Sequence, residues 1–105
     1  MTFDINAVTA DMLSAIKTTA GANIATVQTT AQQFLARDKE RLQQLAELRI
    51  TGEISQQKFE SRLADEKLVV EAELCAITVI TKAIAQRAAN AAIEVLEKAV
   101  IAVIR

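Results

Sequence analysis

The chain of 105 residues has no histidine, no proline, no tryptophan and no tyrosine. Without histidine, the commonest general acid–base is gone, and so are the usual zinc, haem and di-iron ligand sets. Without proline, no position forbids a helix outright. Glycine occurs twice, at Gly21 and Gly52, which leaves no glycine-rich phosphate loop. The aromatics are Phe3, Phe34 and Phe59, too few for a base-stacking platform. Cys75 is the single cysteine, so neither an intrachain disulfide nor a structural zinc site can be built. In the apolar run Leu74-Cys75-Ala76-Ile77 it reads as a small packed hydrophobe.

Neither sign of charge dominates: 12 basic against 13 acidic side chains give a formal net charge of −1. No electrostatic footprint for nucleic acid results. The longest stretch free of charge, Thr18 to Ala36, is crowded with threonine and glutamine and is too polar to span a bilayer. The start, Met1-Thr2-Phe3-Asp4, has no basic region leading into an apolar run, and the expected location is the cytoplasm. Carboxylates offer no metal centre. Glu94 and Glu97 share a face with Lys98, and Glu71 and Glu73 diverge on a helix. No catalytic residue, metal or cofactor is expected, and the chain does not read as an enzyme.

What is abundant is aliphatic: 51% of the residues are hydrophobic, nearly all of them Ala, Ile, Leu and Val. That composition suits helix–helix packing. The one strong punctuation is Ile50-Thr51-Gly52-Glu53-Ile54-Ser55. Gly52 suits the left-handed residue just past a helix end, and Ser55 suits an N-cap. Ile54 and Phe59 have the spacing of a hydrophobic staple across that cap. The pattern predicts an all-α single domain over 1–105: a long antiparallel helical hairpin with a helix over about 4–50, a turn at 51–55 and a helix over about 56–104. The hairpin is a rod on the order of 70 Å long.

In the first helix, Ile5, Val8, Met12, Ile16, Ala20, Val27, Ala31, Phe34, Leu42, Leu45 and Leu48 recur at helical period. Gly21, among mediocre helix formers, marks the place where this helix can break. The turn sets Leu48 against Phe59 and Leu45 against Leu63. It also brings the charged run Arg37 to Arg41 opposite Asp65, Glu66 and Lys67, a solvated flank with cross-helix ion pairs. Asn23 and Thr81 fall on the apolar stripes, where a buried polar group can fix register.

The second helix is apolar nearly all round. Beyond a principal stripe running from Phe59 to Ala99, it carries Val69, Cys75, Val79, Ile80, Ile93, Leu96, Val100, Ile101 and Ile104. One neighbouring helix cannot cover so much, and each side chain left wet forgoes roughly 1.5–3 kcal/mol. The expected remedy is a partner: two hairpins dock as a homodimer to form a coiled-coil-like four-helix bundle. The expected association interface is Val70, Leu74, Ile77, Val79, Ile80, Ile84, Ala88, Ile93, Leu96 and Val100. The function this implies is a non-enzymatic structural or protein-interaction module. Its partner is itself, as a homodimer or higher oligomer, or another helical protein.

The alternative reading is an amphipathic membrane-surface or apolar-ligand-binding helical protein. The mixed-sign polar face, with Glu94 and Glu97 beside Lys82, Arg87 and Lys98, argues against the membrane. The alanines from Ala83 to Ala92 favour close helix approach over a ligand cavity.

The segment Leu42 to Leu63 resembles the bacterial short C-terminal domain often called SHOCT. Leu45, Leu48, Gly52, Ile54, Ser55 and Phe59 match its leucine-rich helix end, its turn and the early phenylalanine that follows. The resemblance implies a bacterial or phage-like helical association module without catalytic residues.

Overall fold

The computed structural model describes residues 3–21, 24–77 and 80–104, apart from the side chain of Ile24. Every regular element among them is a helix: α1 (Ile5–Ala20), α2 (Ile24–Ile50), α3 (Gln56–Cys75) and α4 (Lys82–Ile104). One chain therefore supplies four helices where two long ones were expected. The rod is correspondingly shorter, with a longest dimension of 40 Å.

α1 opens on Asp4, whose carboxylate accepts from the amides of Asn6 at 3.0 Å and Ala7 at 3.4 Å. That satisfies two of the donors a helix start leaves orphaned. It stops at Gly21, which takes φ 65° and donates its amide to the Lys17 carbonyl at 3.1 Å. A side chain at that φ would be strained, so the break anticipated at Gly21 is present. Asn23 lies outside the described residues.

The central turn is built as its residues predict. Gly52 has φ 82°. Its amide donates to the Arg49 carbonyl at 3.2 Å, and the Glu53 amide donates to the Leu48 carbonyl at 2.9 Å. This is the paired closure of a Schellman motif. The Ser55 hydroxyl accepts from the Lys58 amide at 3.1 Å. Phe59 is fully buried, and Ile54 is half-buried against the core, as a staple requires.

The second break divides what was expected to be one helix over 56–104. α3 ends as the amide of Ala76 turns back to Ala72 and that of Ile77 to Leu74, at 3.2 and 3.1 Å. α4 begins where the Thr81 hydroxyl accepts from the Ile84 amide at 3.2 Å. Thr81 is thus an exposed cap and not a buried polar residue in a stripe. The cause is legible in composition: Ile77, Thr78, Val79, Ile80 and Thr81 are five β-branched residues in succession, each stiff at χ1 and poor at extending a helix.

With both breaks in place, each helix packs on its chain neighbours, and α1 closes on α4 in the most extensive contact of all. α1 contributes Ile5, Val8, Met12, Ile16 and Ala20 to the core, and α4 contributes Ala85, Ala88, Ala89, Ala92, Ile93, Leu96 and Val100. Small residues on α4 let the backbones approach while branched side chains of α1 fill the space between them. The surplus apolar surface of the second half is therefore real, but α1 covers much of it within the chain.

Candidate functional site

The ten residues expected to form an interface between chains divide plainly. Val70, Leu74, Ile77, Ala88, Ile93, Leu96 and Val100 are buried in the single-chain core. Ile80 and Ile84 are half-buried against it, and Val79 lies outside the described residues. Side chains that already fill the interior have no face left to offer a partner, which corrects their assignment as an association surface. The reason is the break at 76–81, which lets α4 fold back and gives its apolar arc a second neighbour in α1. Gly52, Ile54, Ser55 and Phe59 come together as the turn and its staple.

The charged run on α2 does meet α3. Arg41 holds Glu66 with two hydrogen bonds, at 2.8 and 2.9 Å, and Arg37 reaches Glu73 at 2.7 Å. Between the two arginines sits Asp38, only 6% exposed, with Arg37 at 3.1 Å and Arg41 at 3.4 Å. Bonds to Asp38 first, then Glu73, raise the Arg37 pKa above its ordinary value, and Glu66 does the same for Arg41. Both guanidiniums are permanent cations. On α4, the Lys98 ammonium at 2.7 Å lowers the Glu94 pKa, and Glu94 raises that of Lys98.

The burial of Asp38 was missed in the sequence. The stripe Ala31, Phe34, Leu42, Leu45 has a gap of two turns, and Asp38 stands in the middle of it, four residues from each neighbour. Helical spacing alone put that side chain on the inner face. Among the described residues, no cluster of three or more acidic or cysteine side chains could hold a metal ion, and no helix is long and apolar enough to cross a membrane.

Among the described residues, the most exposed large hydrophobic side chain, Leu68, lies on α3. Phe59, Leu63, Val70 and Leu74 point inward. On the opposite side Ala64, Leu68, Ala72 and Cys75 follow at helical spacing, and all four are exposed. Leu68 is 58% exposed, with Val69 beside it at 37%. α3 is thus apolar on both its inner and outer sides. Cys75 is on the outer one, a correction to its reading as a packed hydrophobe. Leu68 escaped notice because the charged residues around it, Asp65, Glu66, Lys67 and Glu71, gave the stretch a solvated look.

A shallow groove continues this face towards α4 along Lys67, Leu68, Glu71, Gln86, Ala89 and Asn90. A second groove, between α1 and α2, is bridged at Asn6 by a hydrogen bond from the Lys39 ammonium at 2.6 Å. Comparison with models of protein families, with curated proteins and with solved structures found no match in any of the three.

Proposed function

We propose that this protein is a non-enzymatic helical interaction module of the cytoplasm that associates with copies of itself through the outer face of α3. The observation that carries the reading is the exposure of Leu68 and Val69 on a helix whose other side is fully used by the core. A scattered exposed leucine is ordinary. A leucine aligned with Ala64, Ala72 and Cys75 along one helix face makes a contiguous apolar strip, the kind of surface that marks interaction sites. An exposed lone thiol at Cys75 suits a reducing compartment.

A strip carried by one helix is small, which belongs with weak and transient associations. Sedimentation velocity across a concentration series tests the reading. The parent chain is expected to shift reversibly from monomer to dimer, and Leu68→Glu is expected to abolish the shift while leaving the far-ultraviolet circular dichroism unchanged. A parent chain that stays monomeric throughout refutes the proposal.

A further inference from the structure

We infer that two copies meet through α3 in antiparallel register about a two-fold axis near residue 69. This rests on the self-association proposed above and adds its geometry. The outer face of α3 alternates in size: Ala64, Leu68, Ala72 and Cys75 read small, large, small, larger. A second copy lying antiparallel and centred between residues 69 and 70 sets Leu68 of each chain near Ala72 of the other, and Cys75 of each near Ala64 of the other. Large side chains then meet small ones at every layer, the condition for close packing. A parallel pair would instead stack Leu68 on Leu68 and Ala72 on Ala72, leaving a bulge beside a gap.

Charge agrees with this arrangement. Lys67 and Glu71 lie together on the α4 side of the strip, where they line one groove. A two-fold axis perpendicular to antiparallel helices brings like flanks together, so Lys67 of one copy faces Glu71 of the other, and the pairing occurs twice. In a parallel dimer that flank would face the opposite one, which carries Arg62 and Asp65 beside the Glu66 already held by Arg41. Size complementarity singles out the antiparallel sense, and in that sense the flanking charges pair as well. An isologous contact needs that self-complementarity.

Two experiments test the geometry separately from the association. Lys67→Glu sets acid against acid at both ends of the contact and should weaken dimerisation about ten-fold. Lys67→Glu combined with Glu71→Lys restores the pairing and should recover the parent affinity. In Ala64→Cys, a short bis-maleimide should link residue 64 of one chain to Cys75 of the other, identified by mass spectrometry of the linked peptides. Those two positions on one helix are about 16 Å apart, beyond the reach of a short linker, so the bridge reports contact between chains. A dimer that yields only Cys75–Cys75 links, or no links, overturns the antiparallel register while leaving self-association standing. A monomer by sedimentation overturns both.

Discussion

Leu96 separates packing within the chain from packing between chains. Its side chain is 0% exposed and lies in α4, which the core joins to α1. Leu96→Ala removes three buried carbons and leaves a cavity that a close-packed interior cannot fully collapse. Leucine-to-alanine changes in such places cost about 2–5 kcal/mol. With no solvent access at this position, a loss of about 3–4 kcal/mol is expected, a large share of the total stability of a domain of this size. With a urea dependence of about 2 kcal/mol/M, the midpoint should fall by about 1.5–2 M.

The measurement is urea unfolding followed by circular dichroism. Both the reference protein and the variant carry Leu68→Glu, so that the outer face of α3 is silenced. Each is unfolded at two protein concentrations a hundredfold apart. Because Leu96 packs inside one chain, the midpoint of each protein should be the same at both concentrations. Were it buried between chains, folding would be coupled to association, and the dilution would lower the apparent stability by about 2.7 kcal/mol. A midpoint that moves with concentration, or a loss below about 1 kcal/mol, would refute the single-chain core.

Gly52→Ala should cost about 1 kcal/mol in urea unfolding, through backbone strain alone, since a Cβ there meets nothing within 4 Å while φ is +82°; an unchanged midpoint would refute the left-handed closure. Ser55→Ala should lose about 1 kcal/mol of stability by the same assay, and Ser55→Asp should keep most of it. Asp38→Leu extends the apolar stripe of α2 while leaving Arg37 to Glu73 and Arg41 to Glu66. It is expected to raise Tm by about 5 °C in calorimetry, and a fall of similar size would show that the buried carboxylate is a net stabiliser. The lowered pKa of Glu94 means that the Glu94–Lys98 pair contributes above the ordinary glutamate range and fades as pH falls through the depressed value. Carbon-detected NMR titration should place the Glu94 midpoint below that of a glutamate without such a partner.

The turn around Gly52 is legible in the sequence because three local signals coincide there: a left-handed glycine, a hydroxyl cap and a staple. Each acts over a few residues and needs nothing from the rest of the chain. At Gly21 the sequence offers one glycine among mediocre helix formers, which is compatible with a continuous helix, so 4–50 reads as a single helix that can break there. The break between Ile77 and Thr81 is hidden in the sequence because apolar period continues straight through it, and only the run of β-branched residues marks it. A continuous helix over 56–104 cannot fold back on itself, and its surplus apolar surface would then require a second molecule. The outer face of α3 stayed hidden for the opposite reason, because its apolar residues are small or flanked by charge.

The closure of α1 on α4 joins helices with α2 and α3 between them in the sequence. Until Ala85 to Val100 are seated, Met12 and Ile16 have α2 as their one neighbour. The core is therefore completed by a long-range meeting, the slower kind of folding step, and a chain caught short of it would present its greasiest side to whatever else is nearby.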